Sequence, residues 1–338
     1  MTDTVTAAAA TLDYDAWVKT DEGRTIPQST ADSRIRSMLD MLDLRPGARV
    51  MEVGTGSGYS GAVLSRIVGE DGHVVSIDID ADLVERAANL HRKAGHANIE
   101  VHAYDGFAGW APAAPLDRII GWTTPHVLPD QWVEQAAAGA VIVAPVKIAD
   151  VACANALVRC VVDDPIRDGE LRPGNFIEMA PDVITELALP VRYVDASRVV
   201  EGMPPWWISA RVLHDQPREI AERLLDQARE TEPKADFLPV DRDEWEAFNA
   251  FVLARTATPG SLGGSRGWGI GVALRDSIAV VLPGGALVAA GTGEAHDQLA
   301  ELVGEWHDLG EPKHDRLVPT FTRAEDGWIV RAEMRDAR

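Results

Sequence analysis

The stretch Glu52-Val53-Gly54-Thr55-Gly56-Ser57-Gly58-Tyr59 decides the reading of this chain. It follows an apolar run, Ala48–Val53, that reads as a strand, and it opens a helical pattern over Tyr59–Gly69. Glycines at alternate positions permit a tight turn and a close backbone approach to a ligand at the carboxyl edge of a sheet. The dinucleotide fingerprint puts its third glycine three residues after the second. Here it comes two after, with an acid two residues before the first. A dinucleotide-binding dehydrogenase and a purely structural turn remain the competing readings of the loop alone.

Working outward, His73–Asp78, Ile99–Ala103, Leu116–Trp122 and Ala140–Val146 read as further strands. Helical patterns lie over Ser33–Leu42, Ala81–Ala94 and Asp130–Ala138. Continuous apolar strands interleaved with helices predict a parallel sheet covered on both faces, an α/β Rossmann-like fold. Asp78 ends the second strand, where a carboxylate can accept both hydroxyls of a ribose. Asp105-Gly106 follows the third, where a carboxylate can take an adenine amino group. Each acid alone is more often a turn residue or a cap. Loop and acids together resemble the class I S-adenosylmethionine methyltransferases, in which the glycines approach the amino-acid end of the cofactor. That resemblance implies S-adenosyl-L-methionine as cofactor, with S-adenosyl-L-homocysteine as product. It assigns cofactor contact to Glu52, Gly54, Thr55, Gly56, Ser57, Gly58, Tyr59, Asp78, Ile79, Asp105 and Gly106.

The chain has 338 residues, 32 Lys+Arg against 53 Asp+Glu, and a net charge of −21. That length predicts two domains. Residues 1–190 carry 15 basic and 28 acidic groups and the remainder 17 and 25, so the acidity is spread along the chain. Clustered Lys and Arg are what bind phosphates, so a nucleic-acid partner is unexpected. Solvated surface is the plain reading of the charge, and a basic peptide partner the sharper one. Cys153 and Cys160 are too few for a disulfide framework, and no zinc pattern or metal site is read. The Ala7–Ala10 run has no basic lead-in, and no apolar stretch approaches the ~20 residues of a membrane span. The expectation is a soluble, cytoplasmic protein with no membrane partner.

The pattern changes near residue 186. Trp206–Leu213 reads as a strand, Pro217–Arg229 and Arg242–Arg255 as helices, and Trp268–Leu274, Ile278–Leu282 and Ala286–Ala290 as an antiparallel meander before a helix over Ala295–Asp308. This predicts a small α+β domain, with a boundary between Glu186 and Pro205 and a division into 1–195 and 196–338. Trp206, Trp207, Trp245, Trp268, Trp306 and Trp328 lie in it. Core packing is their plain explanation; a peptide-docking surface, best placed at Pro204-Pro205-Trp206-Trp207, is the sharper one. Ser261–Gly267 reads as a flexible segment, either a loop over substrate or a linker.

The Asn-Pro-Pro loop of amino-methylating enzymes is replaced here by Gly121-Trp122-Thr123-Thr124-Pro125. A carboxylate acceptor needs no base, because it is ionised at pH 7 and already nucleophilic. The chain resembles the protein-L-isoaspartate O-methyltransferases through Thr25-Ile-Pro-Gln-Ser29, Val50–Tyr59, Val75–Asp78, Asp105-Gly106 with Gly109-Trp110, Ala114–Ile119, Thr124-Pro125, Gly139–Val146 and Leu189–Tyr193. The resemblance covers roughly the first 195 residues. It implies substrate contact at Thr25, Ile26, Gln28, Ser29, Thr30, Trp122, Thr123 and Thr124. No catalytic residue is certain: Pro27 stands where the family places a serine, leaving Ser29 and Thr30 as candidates, with helix capping an equal explanation. The family's repair enzymes are expected to end where the second domain begins. Long actinobacterial members carry such an extension and esterify an Asp of a ribosomally made, modified peptide, the ester then closing to an aspartimide. That is the expected reaction, with repair of isoaspartyl residues in damaged proteins as the alternative. A tRNA adenine methyltransferase and a non-catalytic binding module are the remaining readings.

Overall fold

The protein is described from a computed structural model over residues 4–164, 166–183 and 189–335. Glu186, at which the domain boundary was expected to begin, lies outside the described residues. Two short helices, α1 (Thr4–Ala9) and α2 (Tyr14–Val18), and the longer α3 (Asp32–Met41) lead in. Then come β1 (Arg49–Val53), α4 (Tyr59–Val68), β2 (His73–Asp78), α5 (Ala81–Lys93), β3 (Ile99–Ala103) and β4 (Leu116–Gly121). After the two-residue β5 (Leu128–Pro129) follow α6 (Asp130–Gln135), β6 (Ala136–Lys147), β7 (Asn155–Val162) and β8 (Ile166–Arg172).

Local chemistry sets these bounds. The Asp80 carboxylate accepts from the N–H groups of Asp82 and Leu83 and starts α5, and His91, Arg92 and Lys93 sit at its carboxyl end, where the dipole favours cations. The first sheet runs β3-β2-β1-β4-β6-β7-β8. Its first five strands are parallel, as expected, but β7 and β8 are antiparallel, so the sheet is mixed rather than wholly parallel. One face buries Met38, Leu39, Leu42 and Leu64 against Val50 and Val143, and the other packs Trp132 over Met51, Ile119 and Ile142.

The second unit has strands β9 (Ala196–Arg198) and β10 (Trp206–Ala210), then α7 (Arg211–His214), α8 (Arg218–Glu230) and α9 (Arg242–Arg255). It continues with β11 (Pro259–Gly264), β12 (Gly267–Leu274), β13 (Ser277–Val281), β14 (Leu287–Gly291) and α10 (Glu294–Asp308). Its sheet is antiparallel in the order β14-β13-β12-β11-β10-β9. The run expected as one strand over Trp206–Leu213 breaks at Ala210 into α7.

Ser261–Gly267 is not a flexible segment: most of it is β11, paired with β10 and β12. The glycines serve packing here. A Cβ on Gly263 or Gly264 would lie 2.2 Å from a ring atom of Trp207 or Trp206, so both positions make room for indoles. Trp206, Trp245, Trp306 and Trp328 are buried in cores, which corrects the docking reading for Trp206.

The last hairpin, β15 (Leu317–Arg323) and β16 (Gly327–Met334), returns to the first unit. Gly327 and Trp328 pair with Pro129 and Leu128, and Leu317, Trp328, Val330 and Ala332 share the core that holds Met51 and Ile142. A cut at 195/196 therefore divides a single hydrophobic core.

Candidate active site

The glycine loop emerges from β1 with Gly54, Gly56 and Gly58 at φ of +95°, +49° and +82°, conformations that L side chains rarely adopt. Space excludes side chains as well. A Cβ on Gly56 would stand 2.5 Å from the Gln28 carbonyl oxygen, and one on Gly58 3.0 Å from the Ala87 Cβ. The loop is fixed from beneath. Glu52 is fully buried, and its carboxylate accepts hydrogen bonds from Ser60 Oγ, from Ser76 Oγ at 2.7 Å and from Trp122 Nε1 at 2.9 Å. Burial pushes its pKa up against the pull of those donors. Arg86 donates to the Ser57 carbonyl at 3.1 Å and the Trp17 carbonyl at 2.7 Å, tying the entry segment to the loop.

Above the loop lies a cavity of about 740 Å³ at the carboxyl edge of the parallel strands. Of the residues expected to meet a cofactor, Gly54, Thr55, Gly56, Ser57, Asp78, Ile79 and Gly106 line it. Asp78 ends β2, where Oδ2 accepts the Gly56 N–H at 2.9 Å and Oδ1 the Asp80 N–H at 3.0 Å. Its burial raises the carboxyl pKa. The other four lie off the cavity. Glu52 supports the loop from below. Gly58 turns the chain into α4, and buried Tyr59 donates its hydroxyl to Asp32 at 2.9 Å. Asp105 is exposed and spends its carboxylate on the Phe107 N–H at 2.9 Å, capping a short turn. The loop-and-acid pattern carries no information that separates a carboxylate facing the ligand from one supporting the backbone.

Among the expected substrate residues, Gln28, Ser29, Thr30, Trp122 and Thr123 reach the cavity. Thr25 and Ile26 do not: Thr25 bridges to Lys19, and Ile26 is buried. Thr124 is buried and donates its hydroxyl to the Phe176 carbonyl at 3.0 Å. The hydroxyls of Ser29 and Thr123, both buried, have no hydrogen-bond partner. Both residues line the cavity, where a ligand group can supply the missing partner.

Of the far wall, Pro204, Pro205 and Trp207 were read from the sequence as a docking surface, and residues 175–180 were not. Residues 175–180 cross the cavity after β8, pinned by the Thr124 N–H to the Ile177 carbonyl at 2.7 Å and the Met179 N–H to the Thr124 carbonyl at 2.8 Å. Within that stretch Glu178 pairs with Lys147, which is 1% exposed. Cys153, free and lining the cavity, has its thiol pushed up to about 12 by burial. The second sheet closes this side with Pro204, Pro205, Trp207, Gly264, Gly267 and Trp268.

A glycine loop with no room for side chains, beside a strand-end carboxylate with lone pairs to spare, fits the amino-acid and ribose ends of S-adenosylmethionine. The architecture is the class I methyltransferase fold. Residues 11–160 match the family described as Protein-L-isoaspartate(D-aspartate) O-methyltransferase (PCMT). A protein-L-isoaspartate O-methyltransferase of Ignicoccus hospitalis is 38% identical over 125 residues, 37% of this chain and 58% of that one. Protein-L-isoaspartate O-methyltransferase 2 of Archaeoglobus fulgidus is 40% identical over 113 residues, 33% of this chain and 50% of that one. The chain thus spans little more than half the length of these relatives. A solved structure titled protein-L-isoaspartate O-methyltransferase superposes with a TM-score of 0.52 at 16% identity, covering 98% of this chain and 95% of that one. At that identity the likeness is one of fold. It extends through the second unit, although the curated relatives above are much shorter than this chain. Among the described residues no helix is long and apolar enough to cross a membrane.

Proposed function

We propose that the protein methylates a peptide carboxylate, that of an isoaspartyl residue, at the expense of S-adenosylmethionine. One observation carries the reading: the cavity runs without interruption from the glycine loop and Asp78 to the unpartnered hydroxyls of Ser29 and Thr123. When bound, S-adenosylmethionine supplies an electrophilic methyl group. No histidine lines the cavity among the described residues, the Cys153 thiol is held neutral, and Glu178 is tied to Lys147. An acceptor that arrives already ionised, as a carboxylate does, needs no base. Ser29 and Thr123 donate to it and fix its direction, while Trp122, Phe176 and Met179 exclude water, so the catalysis is largely alignment.

The test is transfer of labelled methyl to an isoaspartyl peptide, with the same peptide carrying ordinary Asp as control. Methylation of the isoaspartyl peptide alone is expected. No transfer to either peptide, with cofactor binding intact, overturns the reading.

A second reading rests on the far wall. Trp207, Trp268, Pro204 and Pro205 supply an apolar surface suited to one defined peptide, such as a modified ribosomal peptide carrying the acceptor Asp. On this reading residues 196–338 serve as the docking unit. The ester then loses methanol as the following backbone nitrogen closes a ring, so mass spectrometry would show a net loss of one water. An unchanged Asp peptide is evidence against it.

A further inference from the structure

The hydroxyls of Ser29 and Thr123 account for one carboxylate. A separate corner of the cavity carries polar groups which that reaction leaves unused. Arg34, on the first turn of α3, is the only cationic residue lining the cavity among the described residues; the acidic ones are Asp78, Asp80, Glu178 and Asp182. Its guanidinium donates to the Pro173 carbonyl at 3.3 Å, and no carboxylate among the described residues lies within ion-pair distance of it. Asn175 lies two residues along the same segment and lines the same cavity. Asn175 in turn accepts from Asn155 Nδ2 at 2.7 Å, and Asn155 Oδ1 is buried with no partner. Asn155 is the first residue of β7, held by its pairing with Lys147 on β6, so its amide is presented by a rigid element.

We propose that Arg34, Asn155 and Asn175 form a subsite that reads a second acidic residue of the peptide, next to the one that is methylated. The inference rests on the reading that a peptide fills this cavity. Such a residue brings the two groups the corner lacks: a main-chain N–H for the orphaned amide oxygen of Asn155, and a carboxylate for Arg34. The acceptor itself is the poorer partner for Arg34, because an ion pair there would draw electron density from the attacking oxygen. The protein is strongly acidic overall, so a lone cation on this wall gives an acidic peptide one favourable register.

The full-length protein, with S-adenosylhomocysteine present, is titrated calorimetrically with isoaspartyl hexapeptides capped at both ends. One is otherwise neutral, and four carry a single Glu at positions −2, −1, +1 or +2. Arg34 and Asn175 are exposed, so one Glu position is expected to tighten binding by at most about fivefold, the upper end for an exposed ion pair. Arg34→Gln removes that gain and Arg34→Lys restores part of it. Asn155→Ala weakens the neutral and acidic peptides alike. The proposal is overturned if no Glu position improves binding or if the gain survives in Arg34→Gln. A parallel methylation assay separates the two readings. Methyl transfer without a Glu preference keeps the proposed activity and removes the subsite. A Glu preference without methyl transfer does the reverse.

Discussion

The indole N–H of Trp122 donates to the carboxylate of Glu52 across 2.9 Å, joining a fully buried acid beneath the glycine loop to the floor of the cavity above it. With Ser60 and Ser76 on the same carboxylate, three donors meet on one side chain. Glu52→Ala leaves Ser60 and Trp122 without this acceptor, while Ser76 keeps Thr55 as a partner, at about 1–3 kcal/mol for each group left unsatisfied. A fall in melting temperature together with weaker cofactor binding is expected. Calorimetry showing a weaker cofactor site in a protein of unchanged melting temperature would instead place Glu52 in direct contact with the ligand.

Asp78 is placed differently, on the cavity wall, with two backbone N–H groups already on its carboxylate. Asp78→Ala is expected to weaken S-adenosylmethionine binding by ~1–3 kcal/mol, the scale for losing hydrogen bonds to a charged group. Unchanged affinity by calorimetry refutes the ribose assignment.

Acid sensitivity follows from His91. The ring is 2% exposed and packs on Trp17, with its Nδ1 facing the His96 Nδ1 at 3.1 Å. Burial, then the neighbouring His96, lowers its pKa from 6.5 to about 3. The unfolded chain therefore binds the proton more readily than the folded one in this window. The contribution is whole above pH 6.5 and is lost as pH falls towards about 3. Within that window each unit of acidification costs about 1.4 kcal/mol from this residue. Chemical denaturation from pH 7 to pH 4 should show a shallower loss in His91→Asn; parallel curves refute the assignment.

Truncation after residue 195 is expected to unfold the methyltransferase unit. It removes Leu317, Trp328, Val330 and Ala332 from the first core and the partner of Leu128–Pro129. Burial of the three large side chains alone is worth roughly 6 kcal/mol, comparable with the whole stability of a domain at about 5–15 kcal/mol. Cooperative melting and cofactor binding by residues 1–195 would show the unit to be independent.

Much of the first unit was legible because its signals are local. Strand, glycine loop and helix succeed one another within twenty residues, and β2 and β3, like α9 in the second unit, have the bounds their patterns predict. What escaped is what depends on contacts between distant residues. Gly263 and Gly264 read as flexible because a sequence does not display the indoles that fill the space above them. The far wall joins residues as distant as Asn155 and Trp268. Asp105 and Asp78 are alike in sequence, yet only one faces the cavity.

The pairing of Gly327 and Trp328 with Pro129 and Leu128 has a consequence during synthesis. The strands around the glycine loop leave the ribosome early, with one side of their core still bare. They wait for about two hundred further residues before the strand that covers it arrives. Throughout that interval an apolar surface is open to whatever meets the nascent chain, so association at that bare side competes with folding until the last hairpin docks.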